Sequence, residues 1–146
     1  LNTPVSPHWS AEIDGVEIDV DALDPARQDL AGRPTPLIVE GAGGLMVPVT
    51  REVLYIDLFK RWQLPVVLCA RTSLGTINHS LLSVEALKAR DIPIHGIVFI
   101  GEAHADNRRT IIDLAGVRDL GHLPHLDRLD AAALQQAFET GIDWVS

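Results

Sequence analysis

The sequence predicts an α/β fold: a mostly parallel sheet with flanking helices. Three observations carry that prediction. From residue 36 onward, short apolar runs alternate with amphipathic helical stretches. The apolar runs are continuous rather than alternating, as strands covered on both faces are. Helical stretches separate the runs, which implies right-handed βαβ crossovers and a parallel sheet.

The elements follow in order along one expected domain of 146 residues, long enough to bury a core. Residues 1–35 form a helical or irregular lead-in rich in Pro, Asp and Ala. In "SPHWSAE", Ser6 reads as an N-cap with Pro7 at the first helical position. Residues 36–146 alternate strand and helix. "PLIVE" (36–40) reads as a short buried strand. "REVLYIDLFKRW" (51–62) carries a helical stripe of Val53, Leu54, Ile56, Leu58 and Phe59. "LPVVLCA" (64–70) is a strand. "TINHSLLSVEALKARD" (76–91) is a helix whose apolar face holds Ile77, Leu81, Leu82, Val84 and Leu87. "IHGIVFIG" (94–101) is a strand, and "NRRTIIDLAG" (107–116) is a helix ending at Gly116. "LGHLP" (120–124) and "DAAALQQAFETG" (130–141) are a last strand and helix.

Composition narrows the function classes. A hydrophobic content of 47% indicates a globular chain. No apolar run approaches the roughly 20 residues of a membrane helix, and no signal peptide is apparent, so a cytoplasmic setting with no membrane partner is expected. The single cysteine, Cys69, excludes a disulfide framework within the chain and reads as a buried packing residue. A net charge of −8 without a basic cluster argues against nucleic acid and anionic membranes as partners. It leaves nucleotides open, because backbone amides grip them locally.

In open parallel sheets, ligands bind beyond the carboxyl ends of the strands. Four stretches therefore carry the interest: Glu40–Gly44, Arg71–Asn78, Gly101–Asn107 and Pro124–Asp130. In "EGAGG" a lone carboxylate, Glu40, meets glycines at 41, 43 and 44. Glycines admit a ligand close to the backbone, and a carboxylate at a strand tip can hold Mg²⁺ together with phosphate oxygens. The plainer alternative is a glycine turn with Glu40 as a surface charge. A dinucleotide fingerprint is weaker, since position 46 is Met and no helix opens there. In "SLGTINH" (73–79), Thr76 can cap a helix whose first-turn amides offer an anion site, or the stretch is an ordinary capped helix. His122 and His125 stand three apart, but without a second ligand pair zinc is disfavoured. Arg108 and Arg109 read as a solvated helix start, and His95 as structural.

Taken together, "TPVSPH", "VEGAGGLMVPV", "LPVVLCARTSLGTINHSLLSVEALKARDIPIHGIVF" and "GHLP" resemble the dethiobiotin synthetase family, in that family's order and over nearly the whole chain. The resemblance implies a P-loop NTPase-like fold and an ATP-dependent cyclo-ligase of biotin synthesis, a homodimer acting on 7,8-diaminopelargonic acid, CO₂ and ATP with Mg²⁺. By motif, Glu40 matches the acidic Mg²⁺ ligand. Gly41, Ala42 and Gly43 match the loop near phosphates and substrate. Leu74, Gly75, Thr76, Ile77 and Asn78 match a helix start that receives the substrate carboxylate across the dimer interface. Pro124, His125 and Leu126 match a segment lining the adenine pocket.

Two departures stand out. Where the family commonly places an Asn after "GIVF" to read the adenine edge, this chain has Ile100 followed by Gly101. No run of the type G-x-x-x-x-G-K-[ST] occurs in the 146 residues, and the chain opens on Leu1. The expectation is a truncated enzyme lacking the P-loop strand and inactive alone. The alternatives are a non-catalytic homologue serving as a binding or dimerisation module, or a relative of the cobalamin-type P-loop amidotransferases, which share the "VEG" strand end.

Overall fold

A computed structural model describes residues 1–144. They divide into two compact units, Leu1–Trp62 and the residues from Gln63 on. The second unit holds the α/β architecture. Three parallel strands, β1 (Val66–Arg71), β2 (Ile94–Ile100) and β3 (Asp119–Leu123), lie in the order β1-β2-β3. Helix α4 (Thr76–Lys88) links β1 to β2, and α5 (Ala105–Ala115) links β2 to β3. Among the described residues no strand precedes the first helix, where a P-loop strand would stand in a P-loop NTPase-like fold. The register pairs Leu68 with Ile97 and Ala70 with Phe99, then Phe99 with His122 and Ile100 with Leu123.

The core explains why these segments take these forms. Ala70, Ile97 and Phe99 project from one sheet face and meet Val84 of α4 and Ile111 and Ala115 of α5. Phe99, Ile97, Leu87 and Ile111 are almost wholly buried, each contributing on the order of 1.5–3 kcal/mol of transfer free energy. Helix α5 stops where the sequence predicts, at Gly116. That residue takes the left-handed conformation (φ +58°), and its N–H reaches the Ile112 carbonyl at 2.9 Å. The Lys88 ammonium donates to the Ala115 carbonyl at 2.6 Å, tying the end of α4 to the end of α5. A last helix, α6 (Ala131–Gly141), is capped by the Asp130 carboxylate, which accepts from the Ala133 N–H at 2.9 Å. Beyond it, Ile142 bridges Gly121 and the Asp143 N–H donates to the Leu120 carbonyl.

The first unit is built from α1 (Pro7–Asp14), α2 (Leu23–Ala31) and α3 (Tyr55–Trp62). Pro7 occupies the first helical position, as expected, although the Ser6 hydroxyl makes no cap bond. The Arg51 guanidinium holds both oxygens of Glu12, at 2.7 and 2.8 Å. The Trp62 indole N–H donates to Asp24 at 2.6 Å, and Arg61 reaches Asp21 and Asp24. These bonds lower both acids from their ordinary values. Arg51 is the chief cause for Glu12, and the Trp62 indole, ahead of Arg61, for Asp24.

Several expectations do not survive. Residues 36–40 form no strand, and Ile38 is 88% exposed. A strand exists only through its ladder partner, and the sheet of the described residues contains β1, β2 and β3 alone. Cys69 is exposed, not buried. It lies on the face of β1 opposite Leu68 and Ala70, and α4 and α5 cover the latter face. Helix α3 begins at Tyr55 rather than near 51, because Pro48 and Leu54 form an antiparallel bridge and Asp57 accepts the Leu54 N–H at 2.9 Å. Leu82 is exposed on α4, whose buried face is Thr76, Ser80, Val84 and Leu87.

Candidate functional site

The glycine loop belongs to the first unit, and its geometry comes from α3. The Ile56 N–H donates to the Leu45 carbonyl at 2.9 Å, and the Tyr55 N–H to the Val47 carbonyl at 3.0 Å. The opening amides of α3 are thus satisfied by the segment just after the glycines. Gly41 lies against the stacked rings of Tyr55 and Phe59, where a Cβ would stand 3.0 Å from the Phe59 ring edge. Gly43 has φ +90°, and its missing side chain makes room for Val47. Two of the glycines are therefore explained by packing within the protein, while Gly44 faces open space. Glu40 and Ala42 are exposed at the mouth of this loop.

The second unit carries the other predicted segments at the carboxyl ends of its strands. Leu74 and Gly75 form the turn before α4, with Leu74 fully exposed. The N-cap is Gly75 (φ +93°), not Thr76. Thr76 is the first helical residue, buried, with its hydroxyl 3.5 Å from that of Ser80. A residue already inside the helix cannot cap it, and a left-handed turn before it calls for glycine. Ile77 is half-buried against the core and Asn78 is exposed.

Gly101 is where three strand ends converge. Its N–H donates to the Leu123 carbonyl at 3.0 Å, and its carbonyl accepts from the His122 imidazole Nε2 at 2.7 Å. The Thr72 N–H, just after β1, donates to the Ile100 carbonyl at 3.1 Å. A Cβ on Gly101 would stand 2.6 Å from Thr72 Oγ1 and 3.5 Å from His125 Nε2. Of the predicted segment after β3, Pro124 and His125 are exposed and Leu126 is half-buried.

Beside this junction a cleft of about 430 Å³ opens between α5 and the sheet. Thr72, Phe99, His104, Arg108, Asp119 and His122 help line it. Arg108 is not the solvated cation that its place at a helix start suggests. It grips Asp119 through both oxygens, at 2.6 and 2.8 Å, and lies over the Phe99 ring at 5.7 Å. No local pattern signals that pairing, since Asp119 lies eleven residues on and is brought back by the turn after Gly116. His122 and Gly101 were likewise missed as partners, although the cross-strand pairing of Phe99 with His122 makes them neighbours. Arg109 remains exposed, 3.5 Å from Asp113.

Comparisons with known proteins add a second line of information. A family profile described as an AAA domain matches residues 1–133. The chain is 59% identical over 143 residues to a protein of Rhodopseudomonas palustris (strain TIE-1) named ATP-dependent dethiobiotin synthetase BioD. It is 56% and 58% identical to proteins of the same name from Afipia carboxidovorans and Sphingopyxis alaskensis. Each match covers 98% of this chain. In turn the chain spans 65%, 66% and 67% of the lengths of those three relatives.

Proposed function

The chain belongs to the dethiobiotin synthetase family, and from that membership we propose that it forms most of an ATP-dependent cyclo-ligase. The reaction closes the ureido ring of dethiobiotin from 7,8-diaminopelargonic acid, CO₂ and ATP. One amine takes up CO₂ as a carbamate, and the carbamate oxygen accepts the γ-phosphoryl group. The second amine then attacks the activated carbon, and phosphate leaves. Such a reaction asks little covalent chemistry of the protein and much positioning.

The observation that carries the reading is the identity of 56–59% extending over 98% of the chain. The exposed turn Leu74–Gly75 and the start of α4 at Thr76, Ile77 and Asn78 suit a substrate carboxylate, because first-turn amides there face a short loop. In a homodimer this end would serve the partner's site. Pro124, His125 and Leu126 are read as the nucleotide-lining segment, and Gly41, Ala42 and Gly43 as the loop beside phosphates and substrate.

Glu40 is read as the residue that would hold Mg²⁺. A lone exposed carboxylate fits an ion that arrives with phosphate oxygens and water around it. No group of three or more His, Cys, Asp or Glu suited to a resident metal occurs among the described residues. When bound, the ion supplies charge neutralisation on the triphosphate.

A second reading, a non-catalytic homologue, draws on the lack of a G-x-x-x-x-G-K-[ST] run in these 146 residues. The test joins these residues to a family P-loop segment and measures ADP release dependent on the diamino acid, with dethiobiotin identified by mass. Product formation supports the ligase. Absence of product from a folded protein that binds Mg-ATP supports the second reading.

A further inference from the structure

We propose that His122 is a positioning residue for the nucleotide end of the site, an inference that rests on the ligase reading above. Its imidazole fixes the loop after β2 against the segment after β3.

The β2–β3 ladder ends at the bond from the Gly101 N–H to the Leu123 carbonyl. Beyond it the two backbones part, one into the loop before α5 and the other into Pro124, which has no N–H to donate. The His122 ring adds a tie at this fork. A carbonyl can only accept, so the 2.7 Å contact with the Gly101 oxygen requires the proton on Nε2. The ring is itself aimed from behind. Asp119 Oδ1 accepts from both the Arg108 guanidinium and the Gly121 N–H, at 2.8 and 2.9 Å, which fixes the backbone immediately before His122.

Ile100 brings no polar group to the strand end, so recognition of a base there falls to the Gly101 and Pro124–Leu126 segments, through their backbone groups and the exposed His125 imidazole. Backbone groups on two different loops recognise one ligand only if their spacing is held. His122 holds it, with Thr72 closing the far side of Gly101.

The experiment uses the complete polypeptide carrying these residues, with H122L and H122Q variants. H122L is expected to raise KM for Mg-ATP by roughly 3- to 10-fold, the span of one net hydrogen bond, and to leave KM for the diamino acid unchanged. H122Q, whose amide keeps a donor, is expected to recover most of the loss. In the ligand-free protein, amide exchange at Gly101, His125 and Leu126 is expected to quicken in H122L alone. A folded H122L with unchanged KM for Mg-ATP overturns the proposal. So does a variant in which both KM values rise together without rescue by Gln. Failure of the wild-type polypeptide to release ADP is a separate result and sinks the ligase reading itself.

Discussion

Replacing Gly101 with alanine tests whether the convergence of strand ends is as tight as the geometry implies. Gly101 is buried with φ +125°, a region that residues with a Cβ rarely enter, at a cost of about 1–3 kcal/mol. The added Cβ would also stand 2.6 Å from Thr72 Oγ1, and Thr72 is itself buried, with little room to withdraw. Overpacking of this kind adds about 1–3 kcal/mol. The sum is about 2–6 kcal/mol, a large part of the roughly 5–15 kcal/mol that keeps a domain folded. Gly116 supplies the control within the same unit. It too has positive φ (+58°), but a Cβ there would have the Lys88 ammonium as its nearest neighbour at 3.9 Å, an ordinary contact. Gly116→Ala should therefore show the backbone penalty alone, about 1–2 kcal/mol. Native-state hydrogen exchange at β2 amides reads both variants on one scale. If Gly101→Ala costs no more than Gly116→Ala, the crowding at Thr72 has no energetic weight and the reasoning fails.

Three further outcomes follow from the same structure. Glu40→Gln in the active polypeptide should lower kcat by roughly 10²–10³-fold, the scale of a key electrostatic contact, with the thermal midpoint nearly unchanged because Glu40 is exposed; parallel losses of activity and stability would return Glu40 to an ordinary surface charge. Asn78→Glu should raise KM for the diamino acid more than KM for ATP, since Asn78 is exposed at the start of α4 whereas Thr76 is buried; equal changes would separate this helix start from the substrate carboxylate. Asp24 is lowered chiefly by the Trp62 indole, so its stabilisation is complete above the unfolded aspartate value and is lost as pH falls through the folded one; the first unit of Asp24→Asn should lack that acid-side loss, measured by exchange at α3 amides, and identical acid profiles would refute the assignment.

The second unit was largely legible because its signals are local. A continuous apolar run followed by a 3.6-residue stripe gave β1–α4 and β2–α5, and Gly116 marked its own left-handed turn. What escaped depends on pairing across distance. Arg108 looked solvated until the fold returned Asp119 to it. Cys69 looked buried because an apolar run does not say which face of a strand its helices cover. Thr76 looked like a cap because its hydroxyl can accept from a first-turn amide, but the backbone turned one residue earlier, at Gly75. Helix α2 was not singled out, because its stripe of Leu23, Ala26 and Leu30 is short and stands among Asp24, Pro25, Arg27 and Asp29 in a segment that reads as an irregular lead-in.

The segment that first draws the eye, Leu37-Ile38-Val39 before Glu40, shows the limit of apolarity as evidence for a strand. Its composition states that the segment is meant to be covered, but coverage and pairing are relations, and both need a second element. In the described residues the run joins no ladder, and Ile38 meets solvent almost completely. The glycine loop that follows does not depend on that ladder. The amides of Tyr55 and Ile56 anchor the residues after it, and the Tyr55 and Phe59 rings support Gly41 from below. One side of the Glu40 turn is therefore fixed by α3, while residues 36–40 on the other side join no ladder among the described residues.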